Sequence, residues 1–113
     1  MEIGVIIVKR NKMSKIYVFD IDGTICTNTN GDYEAATPYQ EIVDKINELY
    51  ESGNTIKMMT ARGSTTGIDW TVLTERQLSE WGINYHELIM NKKPHADVFV
   101  DDKAINVSSF RLL

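Results

Sequence analysis

Four aspartates stand directly behind apolar stretches. Asp20 and Asp22 follow Lys15-Ile16-Tyr17-Val18-Phe19, and Asp101 and Asp102 follow Val98-Phe99-Val100. Side chains two apart on a strand share a face, so Asp20 and Asp22 would point the same way while Ile21 turns to the core. Gly23 then lets the chain turn sharply away. Thr60 ends a further apolar stretch, Thr55-Ile56-Lys57-Met58-Met59, and Lys92-Lys93 precede the last one. In an open parallel sheet, ligands bind beyond the carboxyl ends of the strands, in the crevice where strand order reverses. If the first and last of these strands are neighbours, the carboxylates converge and repel one another. A hard divalent cation resolves that repulsion. Mg²⁺ suits the set because it takes oxygen ligands and keeps waters that a phosphate can replace. Lys92 or Lys93 could offset the remaining charge. Each aspartate alone reads equally well as a strand or turn cap. The whole set, with a hydroxyl and a lysine at matching strand ends, reads as a site.

The elements that must hold these residues alternate along the chain. The stretch 15–20 is β-branched and aromatic, as buried strands are. Thr37 as N-cap, Pro38 at the first helical position and Gln40 closing a capping box predict the start of a helix. Ile42, Val43, Ile46, Leu49 and Tyr50 follow at helical spacing, and Gly53 ends the helix. Strand 55–59 leads to Thr60. Asp69 caps a second helix, with Trp70, Leu73, Leu78 and Trp81 on one face and Gly82 as its stop. Residues 85–90 and 97–101 read as the third and fourth strands. Strands separated by helices of this length imply right-handed crossovers and a parallel sheet covered on both faces. The first dozen residues read either as an extra edge strand or as a disordered extension preceding Met13-Ser14-Lys15.

Length and composition bound the answer. A chain of 113 residues allows one domain, with 42% hydrophobic and 25% charged residues near globular averages. Twelve Lys and Arg against sixteen Asp and Glu leave a net charge of −4. That balance weighs against nucleic acid as a partner, since phosphate neutralisation needs clustered cations and the one basic cluster is Lys9, Arg10, Lys12 and Lys15. The single cysteine, Cys26, excludes an intramolecular disulfide and suits a reducing compartment. The longest apolar run, Val5-Ile6-Ile7-Val8, is far short of the roughly 20 residues that span a bilayer. A signal peptide's order of basic, apolar and small residues is missing too. The expectation is a cytoplasmic domain without a membrane partner.

The motifs resemble those of the haloacid dehalogenase (HAD) phosphohydrolase superfamily. Asp20-Ile21-Asp22-Gly23-Thr24 is similar to its D-x-D-G-T signature, and Thr60 in Met59-Thr60-Ala61-Arg62-Gly63 to its second motif. Lys93 in Asn91-Lys92-Lys93-Pro94 resembles the third motif, and Asp101-Asp102 the fourth, all in family order. The resemblance implies an α/β fold: a three-layer, Rossmann-like parallel sheet with helices on both faces, forming one catalytic domain over 1–113. It also implies roles. Asp20 is the nucleophile that forms an aspartyl-phosphate. Asp22 is the acid that protonates the leaving oxygen and then the base for the attacking water. Gly23, Thr24, the Thr60 hydroxyl and the Ala61 amide bind the phosphoryl group, and Lys93 neutralises charge on it. Mg²⁺ is held by Asp20, the Asp22 backbone carbonyl and Asp102, with Asp101 acting through water or supporting the ligands. Arg62 reads either as a phosphate- or acid-binding residue or as a surface salt bridge or loop contact.

One helix and its loops fill each of the intervals Asp22–Thr60 and Thr60–Lys93, leaving no space for an inserted cap domain. The chain therefore resembles the capless subgroup, and 24–36, with its Asn30-Gly31 turn signal, reads as a short flap hairpin over the site. Open sites suit large substrates, or small ones enclosed by a second copy in a homo-oligomer. Trp70 and Trp81 read as packing, His86 as structural or exposed, and Cys26 as a bystander without a partner histidine. His95, near the lysine motif, reads either as lining the mouth of the site or as an ordinary loop residue, and Tyr33 and Tyr39 bracket the flap. The sequence around Thr60 and Lys93 resembles small HAD phosphatases of bacterial surface-polysaccharide biosynthesis, which implies a sugar phosphate or other small phosphorylated metabolite as substrate. The alternatives are a phosphatase of nucleic-acid ends and a non-catalytic metal- or phosphate-binding regulatory module.

Overall fold

The structure, a computed structural model, describes residues 14–91 and 98–100. Four strands, β1 (Ile16–Asp20), β2 (Thr55–Thr60), β3 (Glu87–Met90) and β4 (Val98–Val100), form one sheet in the order β3-β2-β1-β4. Every pairing is parallel. Two α-helices connect the first three strands, α1 (Gln40–Glu51) and α2 (Thr71–Glu80). The N-terminal stretch 1–13, the lysine motif at 92–97 and the acidic pair Asp101-Asp102 lie outside the described residues.

Register explains which side chains meet. Tyr17 and Phe19 of β1 sit beside Ile56 and Met58 of β2. That face packs with Ile42, Val43 and Ile46 of α1 and Leu78 of α2 into one cluster. Val18 and Phe19 point to opposite faces of β1, and at 1% and 0% exposure both are buried. A strand covered on both sides needs the continuous apolar run that 16–19 supplies.

The crossovers β1-α1-β2 and β2-α2-β3 step the same way along the sheet, so right-handed connections put both helices on one face. Asn47 of α1 ties the two helices together. Its Nδ2 donates to the Gly82 carbonyl just past α2 (2.9 Å), and its Oδ1 accepts from the Asn84 N–H (2.9 Å). The described residues thus contribute one helical layer, where the sequence predicted helices on both faces. His86 holds the other side of the sheet's register, its Nδ1 accepting from the Ile56 N–H (3.0 Å) while its own N–H donates to the Ile56 carbonyl (2.8 Å).

Helix α1 begins later than its start signals predict. Thr37 and Pro38 are extended: the Thr27 N–H donates to the Thr37 carbonyl, the Tyr39 N–H to the Ile25 carbonyl, and Cys26 bridges to Pro38. The backbone groups that a capped helix start would use are spent on this short antiparallel pairing, and tertiary pairing overrides the local signal. Gln40 Nε2 donates to Asp44 along the helix (2.8 Å) rather than closing a capping box. At α2 the signal is nearer the mark. Asp69 accepts from the Thr71 N–H (2.9 Å), and its hydrogen bonds from the Thr71 side chain and backbone hold its carboxyl below the usual value. Gly53 and Gly82 end the helices with φ of +93° and +71°, as predicted.

Candidate active site

Two neighbouring strand ends build the site. Asp20 ends β1 in register with Met59, one residue before Thr60 ends β2. On its other edge β1 pairs with β4, Phe19 beside Val100. Strand order therefore reverses at β1, which places the ligand crevice of an open sheet there. Beyond β1 the chain folds back on itself: the Ile21 carbonyl accepts from the N–H groups of Thr24 (3.1 Å) and Ile25 (3.0 Å), and Gly23 adopts a φ of +84°. Ile21 is fully buried, as predicted, and Asp20 and Asp22 line one cavity of about 290 Å³ together with Thr60 and Ala61.

The segment 24–36 borders that cavity. Its stem is the pairing of 25–27 with 37–39. Its tip is a turn in which Asn30 and Gly31 have φ of 55° and 100° and the Asp32 N–H donates to the Thr29 carbonyl (3.3 Å). Positive φ at both central positions is what an Asn-Gly pair accommodates. Asn28, Asn30, Gly31 and Tyr33 contribute to the cavity wall from this segment.

Arg62 is 1% exposed. Its Nε donates to Asp22 Oδ2 (3.0 Å) and its Nη2 to Asp22 Oδ1 (2.8 Å), a two-pronged fork on one carboxylate. Its Nη1 donates to Thr74 Oγ1 (3.1 Å) and Gln77 Oε1 (2.6 Å), and the guanidinium lies 4.6 Å from the centre of the Tyr33 ring. Gln77 Nε2 in turn donates to the Tyr33 carbonyl (2.6 Å). The structure therefore shows Arg62 in a buried ion pair, not the surface salt bridge that was one of its two readings. The guanidinium is committed to Asp22 and α2, and Arg62 also contributes to the wall of the cavity. The Arg62 N–H donates to Thr60 Oγ1 (3.1 Å). That bond fills an acceptor position on the Thr60 hydroxyl and leaves its proton to donate elsewhere.

Gly23 and Thr24 do not border either described cavity. Thr24 is 1% exposed, and its hydroxyl has no hydrogen-bond partner among the described residues. Gly23 acts through its conformation, which turns the chain behind Asp22. Cys26 lies against the same carboxylate, its Sγ 3.6 Å from the Ile21 carbonyl and 3.8 Å from Asp22 Oδ1. Burial, then the charge of Asp22, push its thiol up to about 12, so it offers no thiolate for catalysis. Lys93, His95, Asp101 and Asp102 lie outside the described residues. Among the described residues no group of three or more His, Cys, Asp or Glu side chains gathers as a metal site. The described part of the expected donor set, the Asp20 carboxylate at the cavity, is the hard oxygen donor that Mg²⁺ takes. The Asp22 carboxylate is held by Arg62 and keeps 20% of its side chain exposed at the cavity.

A second cavity of about 310 Å³ adjoins the first, sharing Gly31, Tyr33 and Ala61 with it. The loop 63–70 forms its other wall. Ser64, Thr65 and Thr66 supply hydroxyls, and Trp70 meets the Tyr33 ring edge to face at 5.0 Å. No charged side chain lines it among the described residues. Trp81 packs against the core as predicted, whereas Trp70 faces this cavity. Thr74, Gln77 and Tyr33, which surround the Arg62 guanidinium, are residues that the sequence reading missed or left undecided. The signal for the first two was present. Positions 74, 77, 78 and 81 form a helical stripe, so polar residues at 74 and 77 sit where burial demands a hydrogen-bonding partner.

The backbone is similar to that of an MCSG target protein from Vibrio cholerae, with a TM-score of 0.70 over 88% of this chain and 89% of that one, at 23% identity. The likeness establishes a shared α/β fold. No family model matches the chain, and no curated protein matches it. No helix among the described residues is long and apolar enough to cross a membrane.

Proposed function

We propose that this protein is a Mg²⁺-dependent phosphomonoester hydrolase of the HAD type, working through an aspartyl-phosphate on a small phosphorylated metabolite. The observation that carries the reading is a cavity lined by Asp20, Asp22, Thr60 and Ala61 at the ends of adjacent parallel strands. In this reading an Asp20 oxygen attacks phosphorus as the bond to the leaving oxygen breaks, and Asp22 gives that oxygen its proton. Water then attacks the aspartyl-phosphate, Asp22 takes the proton back, and phosphate leaves as the bond to Asp20 breaks. The Thr60 hydroxyl and the Ala61 amide hold phosphoryl oxygens, and Lys93 offsets their charge. Asp20, the Asp22 carbonyl, Asp102 and Asp101 would hold Mg²⁺, which when bound neutralises and orients the phosphoryl group. The finer architecture belongs to the same proposal: a three-layer, capless domain in which 24–36 serves as the flap.

The adjoining cavity favours a sugar phosphate over a nucleic-acid end. Aromatic edges and hydroxyls suit a neutral, hydroxyl-bearing leaving group, while a polynucleotide needs cations along its path. The test is phosphate release from a panel of sugar phosphates. Turnover is expected with Mg²⁺ and not with EDTA, and Asp20→Asn is expected to lower it on the order of 10³-fold or more. Full activity in Asp20→Asn overturns the mechanism. Mg²⁺ binding without turnover of any phosphoester identifies a binding module instead.

A further inference from the structure

An elaborate side-chain arrangement surrounds Arg62. Three separate segments hold one guanidinium. Asp22 follows β1, Thr74 and Gln77 belong to α2, and Tyr33 comes from the segment bordering the cavity. A long, flexible side chain buried at 1% exposure and bonded through all three of its nitrogens has one orientation. Its fork fixes both oxygens of the Asp22 carboxylate, and so fixes the plane and the position of that group. The remaining 20% of the Asp22 side chain is exposed, at the cavity.

We propose that Arg62 is a positioning residue that holds the Asp22 carboxylate where it exchanges a proton with the leaving oxygen, with Thr74, Gln77 and Tyr33 keeping Arg62 in place. The proposal rests on the phosphatase reading above. It accounts for two polar residues buried on α2, and it ties the cavity-bordering segment to the acid–base group through the Gln77–Tyr33 bond. Proton transfer tolerates little misplacement, so an ill-held carboxyl fails chiefly where the leaving group needs the proton.

Leaving-group dependence tests this. The value of kcat/KM, which covers the steps up to departure of the leaving group, is measured for p-nitrophenyl, phenyl and alkyl phosphates. Arg62→Gln is expected to lose about 100-fold or more on the alkyl ester and less than about 10-fold on p-nitrophenyl phosphate, whose leaving group departs without a proton. Arg62→Lys keeps the charge but not the fork, and is expected to leave the alkyl ester unrescued. In an Asp22→Asn background, adding Arg62→Gln is expected to cost no more than a few-fold further. Equal losses on every ester, rescue by Arg62→Lys, or full additivity with Asp22→Asn would each overturn the proposal and leave Arg62 as a structural strut. Should Arg62→Gln fail to fold, Gln77→Leu carries the same comparison, with the same selective loss expected and an even loss overturning it. Wild-type protein that hydrolyses none of the esters defeats the phosphatase reading itself, an outcome distinct from an even loss among variants.

Discussion

At the scale of single residues, the carboxylate of Asp22 is crowded by two groups of opposite character. Arg62 grips it from one side, and the Cys26 sulfur lies 3.8 Å from Oδ1. The thiol is fully buried, and burial followed by the nearby Asp22 charge raises it from 9.0 to about 12. The folded state therefore favours the protonated thiol. Its contribution to stability is complete below the unfolded value of 9.0 and is lost as pH rises toward about 12. Urea midpoints measured from pH 8 to pH 11 are expected to fall through that window, and Cys26→Ala should flatten the fall. A chromogenic disulfide reagent at pH 8 should label Cys26 slowly in the native protein and rapidly in urea. That Asp20, Asp22 and Thr60 gather at one cavity was legible because each stands at the end of an apolar run. Arg62 as partner of Asp22 was not, because 40 positions separate the pair and nothing local links them.

Among the elements, the loop from β2 to α2 is constrained at Gly63. Gly63 has a φ of +85°, and a Cβ there would collide with the Ile68 carbonyl. The Gly67 N–H donates to the Gly63 carbonyl (2.8 Å), closing the loop that brings Trp70 beside Tyr33. Gly63→Ala meets both the strained φ and the collision. It is expected to destabilise the fold by at least about 1–3 kcal/mol, read as a lower urea midpoint at unchanged slope. Helix α1 shows where element-level reading fails. Thr37, Pro38 and Gln40 form a sound start signal, yet the chain stays extended through Pro38 because residues 25–27 pair with it. Capping contributes on the order of 1 kcal/mol and competes poorly with backbone pairing that also closes the segment beside the site. Strands β1 and β2 were legible to within a residue because each alternates or fills its apolar face fully.

For the molecule as a whole, charge and cavity chemistry point the same way. A net charge of −4 and a neutral second cavity among the described residues offer little to a polyanion. Phosphate release from a sugar phosphate is expected to exceed that from a 5′- or 3′-phosphorylated oligonucleotide and to change little with added salt. A rate on oligonucleotides that is higher, and falls steeply between 50 and 200 mM salt by the roughly 10³-fold or more typical of several phosphate contacts, would reverse the choice of substrate. Composition, the alternating elements and the spacing of Asp20, Asp22 and Thr60 were decided by the sequence alone, since periodicity and strand-end chemistry are local properties. Tertiary structure decided the rest: that β1 sits between β2 and β4, that Thr37–Tyr39 pairs instead of coiling, and that Arg62 turns inward to Asp22 rather than outward. Those outcomes depend on which distant segments meet, and a buried guanidinium goes where carboxylate, amide and hydroxyl together satisfy it.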